Sequence, residues 1–510
     1  MSDPVLPRDL YRAADVRAID RAAIETLQIP GIDLMERAGA AAFAALCERW
    51  PGARTLSAVC GSGNNGGDGY IVARLAHQAG WDVRVYPASA PTALQGDARS
   101  AYTRYRDAGG ACLDFIPEDF EATEILVDAL FGTGLNRALS GAPVDIIEAV
   151  NRYRARGLTH RSRQRAVVAL DLPSGLQADS GARMGAAIQA DLTVTFVALK
   201  QGLFTGAGPE LTGDIIFDDL GIHPRARQGI QPSARRLQPD LIRLAPRPRS
   251  AHKGCFGHVL LIGGDQGYSG AIRLAAEAAA RVGAGLVSVA TRAAHAGLLN
   301  LHRPELMVHG VEHPADLEPL LERCSTVAIG PGLGRSAWAR MLLEQTLATN
   351  LPLVVDADAL NLLATSPVRR GQWILTPHPG EAARLLGCTA AEIQLDRFAA
   401  SAELHRRWGG VIVLKGAGTL VQTEAQTPVV CQTGNPGMAS GGMGDVLTGV
   451  LAGLLAQHFP LAEAAQTGVW LHGRAADLAA QAGERGLLAQ DLMPHLRRLV
   501  NPTPGAPELP

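Results

Sequence analysis

The stretch Gly434-Asn435-Pro436-Gly437-Met438-Ala439-Ser440-Gly441-Gly442-Met443-Gly444-Asp445 decides how the second half of this 510-residue chain is expected to fold. Its glycines remove Cβ atoms, so the backbone can turn tightly and lie close to a ligand. The apolar run at 446–455 predicts a buried helix that begins directly after the glycines. The first turn of a helix presents unpaired N–H groups at the positive end of the helix dipole, so the sequence predicts an anion site here.

Asp445 lies inside this predicted anion site. A carboxylate repels a bound phosphate at short range, so its presence needs a chemical reason. A general base that takes a proton from a substrate hydroxyl supplies that reason, because the glycine N–H groups can then hold the phosphoryl group that is transferred. The alternative is a glycine-rich helix start with Asp445 as a capping charge.

Composition limits the function classes. At ~150 residues per domain the chain predicts two to four folded units. Hydrophobic residues make up 47% and charged residues 19%, and the net charge of −2 gives no general attraction to nucleic acid or anionic membranes. The chain shows neither a signal peptide nor an apolar run approaching the ~18 residues of a membrane span. Seven scattered cysteines without a C-x-x-C pair indicate reduced thiols, and we expect a cytoplasmic protein.

The first half contains a glycine loop at 61–69 between a predicted strand at 55–59 and a helical pattern. Its G-x-G-x-x-G spacing is typical of dinucleotide oxidoreductases, but the next predicted strand ends in 85–87 without the acid that would hold a ribose hydroxyl. Asn64, Asn65 and Asp68 also place more oxygen ligands in the turn than a pyrophosphate needs. We therefore favour a ligand site that includes a cation.

Two more predicted strands end in polar residues. The strand at 124–127 runs into Asp128, and the strand at 166–170 runs into Asp171 and Ser174. Because ligands bind beyond the carboxyl ends of parallel strands, Asn65, Asp128 and Ser174 are expected to converge on an alkali or alkaline-earth cation. The alternative for each side chain is a loop cap.

These motifs resemble the NAD(P)H-hydrate epimerase domain over roughly the first 220 residues. The resemblance is carried by Leu34-Met35-Glu36-Arg37-Ala38-Gly39, by the loop at 63–69, by Val127-Asp128-Ala129-Leu130-Phe131-Gly132-Thr133-Gly134 and by Asp171-Leu172-Pro173-Ser174-Gly175. It implies that Asp171 is the acid/base group and that potassium is held by Asn65, Asp128 and Ser174. It also implies a substrate site lined by Asn64, Asn65, Gly66, Gly67, Asp68, Gly132, Thr133, Gly134, Leu135, Asn136, Arg137, Ala138 and Asp171.

Two arginine-rich segments follow. The segment at 152–165 is interpreted as a solvated surface, with an RNA- or phosphate-binding arm as the alternative. The segment at 225–249 is interpreted as an interdomain linker because prolines interrupt it. From residue 258 onward short apolar strands alternate with helices, which predicts a second, mostly parallel three-layer domain.

The loops of this second domain carry polar groups after predicted strands. His378 lies between two prolines, which suits a ligand contact but is also compatible with a structural histidine. Lys415 ends a strand before glycines, where its ammonium group could meet phosphate or simply be solvated. Asp356 and Asp358 could bind hydrated magnesium or cap the next helix, and the sequence does not separate these roles.

The set resembles the ADP- or ATP-dependent NAD(P)H-hydrate dehydratase domain of the ribokinase-like superfamily over about residues 249–500. The matching motifs are 253–254 with 263–270, 330–334, 376–381, 415–419 and 441–445. The resemblance implies magnesium and ADP as requirements. It implies contacts to the hydrated nucleotide from Ala271, Gly332, His378 and Asp445, and contacts to ADP or AMP from Lys415, Gly416, Ala417, Gly418, Thr419 and Gly444.

The expectation is therefore an α/β protein of two three-layer αβα domains, the first Rossmann-like and the second ribokinase-like. We expect an epimerase domain at 1–224, a linker at 225–248, a dehydratase domain at 249–500 and a tail at 501–510. The substrates would be the hydrates NADHX and NADPHX, with no nucleic acid or membrane partner, and the resemblance implies a homo-oligomer. The alternatives are a ribokinase-like small-molecule kinase and a first half that is a non-enzymatic, ligand-sensing or RNA-associated scaffold.

Overall fold

The computed structural model describes residues 6–116, 119–159, 165–239, 242, 244–424 and 427–501. The chain divides into two compact units, Met1–Arg235 and Arg236–Pro510. The division falls inside the segment that the sequence predicts as a linker. Part of the arginine-rich segment at 152–165 and nearly all of the predicted tail lie outside the described residues. No helix in the described part of the chain is both long and apolar enough to span a membrane.

The first unit is built on six parallel strands. In spatial order they are Asp82–Pro87, Thr55–Cys60, Ile125–Ala129, Ala166–Leu170, Leu192–Phe196 and Asp214–Asp218. Four of them confirm the sequence prediction to within two residues at each end. The chain order reverses between Thr55–Cys60 and Ile125–Ala129, so the loops after these two strands open a crevice at the sheet's carboxyl edge.

Helices cover both faces of this sheet. One apolar cluster joins the strands to the helices Ala13–Glu25, Gly31–Arg49, Asn64–Gln78 and Gly96–Asp107. A second cluster joins the opposite face to the helix Ala142–Thr159. The unit also contains the short helix Gly208–Leu211 and a strand pairing of Leu10 with Ala234. The predicted three-layer arrangement is confirmed.

Among the residues that the structure describes, the second unit contains a mixed sheet of nine strands. In spatial order they are Val429–Cys431, Thr419–Gln422, Val411–Leu414, Trp373–Leu375, Leu353–Val355, Thr326–Ile329, His258–Ile262, Leu286–Thr291 and Met307–Gly310. Thr419–Gln422 pairs antiparallel with both of its neighbours, and all the other neighbouring strands in this order pair parallel. The order reverses between His258–Ile262 and Thr326–Ile329, so the loops that follow them meet at one edge.

One face of this sheet packs against a single apolar cluster. Most of the helical residues in that cluster come from Ser269–Arg281, Met443–Ala456, Leu461–Ala479 and Leu492–Leu499. Leu260 and Ile262 alternate along their strand with residues of this cluster and are equally buried, so the opposite face is covered too. The remaining α-helices of the unit are Ala293–Leu299, Pro314–Leu321, Ala337–Leu347, Ala357–Leu363, Pro379–Leu386, Ala390–Leu395 and Arg397–Trp408.

Candidate active sites

A cavity of about 1000 Å³ opens at the crevice of the first unit. The segments after five neighbouring strands line it, and so does the helix Ala13–Glu25. The predicted substrate residues that line this cavity are Asn64, Asn65, Asp68, Gly132, Thr133, Gly134, Leu135, Asn136, Arg137, Ala138 and Asp171. Gly66 and Gly67 lie behind the wall instead. A Cβ at Gly66 would lie 2.0 Å from the Gly61 carbonyl oxygen, so glycine there allows a close backbone approach.

Asp171 occupies a strained position at the edge of this cavity. Its φ of 65° lies in the left-handed region, which non-glycine residues seldom adopt and which is typical of functional sites. Its Oδ1 accepts a hydrogen bond from Nζ of Lys200. That ammonium group also donates to the Phe196 carbonyl oxygen at 2.7 Å and to Thr195 Oγ1 at 3.1 Å, and the side chain is 1% exposed. The buried lysine therefore orients the Asp171 carboxylate.

Lys200 is a site residue that the sequence reasoning missed. The only signal is an isolated lysine shortly after an apolar strand, which is equally typical of a solvated position. Asp20 was missed as well, because a helical aspartate normally faces solvent. Burial raises the pKa of Asp20 and also that of Asp68, where the negative charge of Asp171 adds to the effect.

The predicted cation ligands lie at the same strand ends. Ser174 donates to the buried Asp128 carboxylate twice, from Oγ to Oδ1 at 2.6 Å and from its backbone N–H to Oδ2 at 2.7 Å. Burial raises the pKa of Asp128 to about 6. Both side-chain polar atoms of Asn65 are buried without a partner among the described residues. A Cβ at Gly132 would lie 3.5 Å from Asn65 Cγ and 3.2 Å from Asp171 Oδ2, so Asn65 and Asp171 flank Gly132.

In the second unit the helix Met443–Ala456 begins within the predicted glycine stretch. From Val446 to Ala456 every residue is buried, which confirms the predicted buried helix. A Cβ at Gly444 would lie 3.4 Å from Lys415 Nζ and 3.6 Å from Asp356 Oδ2. The first turn of the helix therefore lies beside the ion pair of Lys415 and Asp356.

Asp356 forms this ion pair with Lys415. Lys415 Nζ lies 2.6 Å from Asp356 Oδ1, and Thr448 Oγ1 donates to Asp356 Oδ2 at 2.7 Å. The Asp356 side chain makes no capping hydrogen bond to the helix that follows it. Its negative charge instead compensates the positive charge of Lys415. Glu381 Oε2 lies 3.7 Å from the same ammonium group. Asp358 instead accepts a hydrogen bond from the Gly334 N–H at 2.9 Å.

Asp445 is poised to accept a proton near neutral pH. Burial raises its pKa to about 6, the negative charge of Asp356 adds to the rise, and Lys415 opposes it. A carboxylate that only capped the helix would have a lowered pKa, because hydrogen bonds and the helix dipole favour its charged form. The general-base interpretation therefore fits the electrostatics better than the capping alternative.

His378 has a structural role and keeps its ring half-exposed. Its Nδ1 accepts a hydrogen bond from the Gly380 N–H at 3.0 Å, which caps the helix Pro379–Leu386. Its Nε2 lies 3.4 Å from Glu381 Oε1. Burial lowers its pKa, and Lys415 lowers it further, so the ring is neutral at physiological pH.

Ala271 and Gly332 lie against each other at the sheet edge. Gly332 has a φ of 58°, and a Cβ there would lie 3.3 Å from Ala271 Cβ. The Gly332 carbonyl oxygen accepts a hydrogen bond from the Asp265 N–H at 2.7 Å, which joins the loops at 263–270 and 330–334. Two residues that are 61 positions apart in sequence therefore share one wall of the site.

The helices Ser269–Arg281 and Met443–Ala456 run parallel and very close together. A Cβ at Gly449 would lie 1.9 Å from the Ala275 carbonyl oxygen, and one at Gly453 would lie 2.7 Å from the Ala279 carbonyl oxygen. Extending this register by one helical turn places Ala271 beside Asp445. Both helix starts therefore lie at the same end of the unit.

The predicted nucleotide loop at 415–419 is fixed from behind by a fully buried arginine. Arg397 Nη2 donates to the carbonyl oxygens of Leu414 and Lys415 at 3.1 and 3.2 Å. A Cβ at Gly416 would lie 2.9 Å from Arg397 Nη1, and its φ of 140° also favours glycine. The sequence reasoning missed Arg397, since nothing in a helical arginine signals burial.

The comparisons with known proteins cover both units. Residues 31–202 match the family described as YjeF-related protein N-terminus, and residues 259–498 match NAD(P)H-hydrate dehydratase. The chain is 50% identical over 497 residues to the bifunctional NAD(P)H-hydrate repair enzyme Nnr of Coxiella burnetii, covering 97% of this chain and 99% of that one. It is 44% identical over 500 residues to the protein of that name from Escherichia coli, covering 98% and 95%.

Among solved structures, the second unit is similar to the ADP/ATP-dependent NAD(P)H-hydrate dehydratase from Bacillus subtilis that was co-crystallised with ATP and Mg²⁺. That structure is 30% identical, with a TM-score of 0.44, and the match covers 50% of this chain and 93% of that one.

Proposed function

The chain belongs to the family of bifunctional NAD(P)H-hydrate repair enzymes, and we propose that its two units carry out the two steps of that repair. The first unit interconverts the R and S forms of NADHX and NADPHX. The second unit dehydrates the S form to NADH or NADPH and converts ADP to AMP and phosphate. A reaction that consumes one epimer then draws the other through the first unit.

A single observation carries the dehydratase proposal: Asp445 lies at a glycine-lined helix start beside the Lys415–Asp356 pair, with its pKa near 6. Asp445 takes the proton of the C6 hydroxyl, whose oxygen attacks the terminal phosphoryl group of ADP while AMP departs. The C6–O bond then breaks, phosphate leaves with the bonding electrons, and loss of a C5 proton completes the dihydronicotinamide.

The surrounding residues provide charge and orientation for this transfer. Lys415 and the helix N–H groups offset the phosphate charge, and the half-exposed ring of His378 contacts the hydrated nucleotide. Ala271 and Gly332 form the wall against the nicotinamide ring. Magnesium, when bound with ADP, would neutralise charge that develops on the phosphoryl oxygens.

In the first unit Asp171 is the acid/base group, because Lys200 orients it at the wall of a cavity large enough for a nucleotide. It takes the C6 hydroxyl proton as the C6–N1 bond opens, and it returns a proton when the ring recloses on the other face. Asn65, Asp128 and Ser174 fit a bound potassium ion, since the Asn65 oxygen is orphaned and the Asp128 charge is buried. Potassium would supply positive charge near the substrate oxygens.

The test uses purified full-length chain with mixed R and S hydrates of NADH, magnesium, potassium and ADP. Wild type should convert all of the hydrate to NADH, measured by the absorbance of the reduced nicotinamide. Asp171→Asn should stop after the S fraction, and Asp445→Asn should form none. A stable phosphorylated product without NADH would refute the dehydratase proposal in favour of the kinase alternative.

The domain boundaries at 224 and 249, the homo-oligomer and the cytoplasmic location stay predictions of the sequence.

A further inference from the structure

Tyr268 lies in the loop at 263–270 of the second unit, beside residues proposed to contact the substrate. Its side chain is 64% exposed, and Ala271, three residues later, is a predicted substrate contact. Single exposed aromatic residues are common on protein surfaces, so exposure alone does not indicate a ligand contact. The position of the Tyr268 backbone does indicate one.

The backbone of Tyr268 is held in place from two directions. Its N–H donates to the Asp265 carbonyl oxygen at 2.9 Å, and its own carbonyl oxygen accepts from the Ala271 N–H at 3.3 Å. The Asp265 carboxylate is in turn fixed by Arg292 Nε at 2.7 Å and by Ser336 Oγ at 3.1 Å. The exposed ring therefore belongs to a rigid loop. Because the loop is already ordered, less conformational entropy is lost when a ligand contacts the ring.

Tyr268 also packs against Gly332, a second predicted substrate contact. A Cβ at Gly332 would lie 2.6 Å from the Tyr268 carbonyl oxygen and 2.9 Å from Tyr268 Cβ, so only glycine keeps this space open. Tyr268 directly precedes the helix Ser269–Arg281, whose register with Met443–Ala456 places Ala271 beside Asp445. The Tyr268 backbone therefore lies against the Gly332 loop and within one helical turn of Ala271.

We propose that the Tyr268 ring packs against the face of the hydrated nicotinamide ring and keeps water away from C6 while phosphate leaves. The inference rests on the proposed dehydratase function and adds a residue that contacts the substrate. A tyrosine ring provides a large, flat apolar surface that matches the conjugated part of the substrate ring.

Exclusion of water matters at one step. When the C6–O bond breaks, its electrons leave with phosphate, and the positive charge is shared between C6 and N1. Loss of a C5 proton gives the dihydronicotinamide. If water attacks C6 and releases a proton instead, the hydrate is regenerated and ADP has been converted to AMP and phosphate without repair. Closed active sites suppress such side reactions.

The experiment compares full-length wild type with Tyr268→Ala, with Tyr268→Phe, which keeps the ring, and with Leu301→Ala as a control. Leu301 is 68% exposed, outside the motifs of the site. Calorimetric titration with the S hydrate of NADH, without ADP, measures affinity, and the phosphate released per NADH formed measures water capture. Tyr268→Ala should bind about tenfold more weakly, as ring stacking on this scale implies. It should also release more than one phosphate per NADH, while Tyr268→Phe and Leu301→Ala behave as wild type.

Wild-type affinity with one phosphate per NADH in Tyr268→Ala would overturn the inference and leave the proposed function intact. Equal losses in Tyr268→Phe and Tyr268→Ala would overturn it too, because the hydroxyl and not the ring would then be responsible. If wild type binds the hydrate but never forms NADH, the proposed function fails. Loss of binding in Tyr268→Ala alone would still support the contact.

Discussion

Replacing Asp445 by Asn should abolish dehydration and at the same time stabilise the second unit. The amide cannot accept the hydroxyl proton, so turnover should fall by ~10²–10⁴, the usual contribution of a positioned general base. The amide also removes a buried negative charge that lies close to Asp356. Loss of activity with a gain in stability separates this substitution from one that merely damages the fold.

The size of the gain follows from the pKa of Asp445, which rises from 3.8 to about 6 on folding. Because the folded state holds the proton more tightly, wild type loses stability as the pH rises between these two values. At ~1.36 kcal/mol per pKa unit the loss amounts to ~3 kcal/mol above about pH 6 and vanishes below about pH 4. The free energy of unfolding of the Asn variant should therefore exceed that of wild type by up to ~3 kcal/mol near neutral pH. In acid the two free energies of unfolding should be equal.

The stability assay is denaturant unfolding of the full chain at several pH values. The transition of the second unit is identified as the one that added adenine nucleotide shifts upward. Glu403→Gln is a matched control in the same unit, because hydrogen bonds from Arg406 and Arg407 lower the pKa of Glu403 to about 2. That substitution should leave turnover unchanged and give no gain in stability.

Two results would refute this reasoning. An Asn variant with turnover within tenfold of wild type would exclude Asp445 as the base. An inactive variant whose stability equals wild type near neutral pH would show that the Asp445 charge is not buried unfavourably. For wild type, kcat/KM should fall about tenfold per unit as the pH drops below about 6, because the free enzyme must hold Asp445 ionised.

Three further outcomes are expected. Lys200→Met should abolish epimerisation and leave dehydration of the S form intact, which the converted fraction of mixed hydrate measures. It should also lower the free energy of unfolding of the first unit by ~3–5 kcal/mol in urea unfolding, because it leaves the Asp171 charge unpaired. Gly332→Ala should raise KM for the hydrate without unfolding the chain, because the added Cβ meets Tyr268; an unchanged KM in steady-state kinetics contradicts this. Potassium should raise the melting temperature of the first unit in wild type but not in Asn65→Ala, with sodium as the comparison in a thermal scan.

The architecture was largely predictable from local patterns. Short apolar runs bounded by glycine loops, such as 258–262 and 411–414, report strands buried on both faces, and they form strands with these bounds. The helix Met443–Ala456 is equally predictable, because glycines precede a continuous apolar segment. The edge strand Met307–Gly310 and the internal strand Thr419–Gln422 were not predicted, because both are short and only partly apolar.

The two carboxylates proposed to be catalytic were predicted from the sequence, because Asp171 follows the end of a strand and Asp445 lies at the start of a helix. Lys200, which orients Asp171, and Arg397, which holds the loop at 415–419, were not predicted. Both are buried charges, and no local pattern distinguishes them from surface residues. The open alternatives for Asp356 had the same origin, since its lysine is 59 positions away.

The sequence by itself determined the order of strands and helices, the glycine positions that allow close approach, and the residue types available for proton transfer, because these depend on local sterics and hydrophobic periodicity. Only the tertiary structure decided which charges are paired, which pKa values move and which side chains share a wall. Those properties depend on burial and on distances between residues such as Asp445 and Lys415, and both arise only when remote segments pack together.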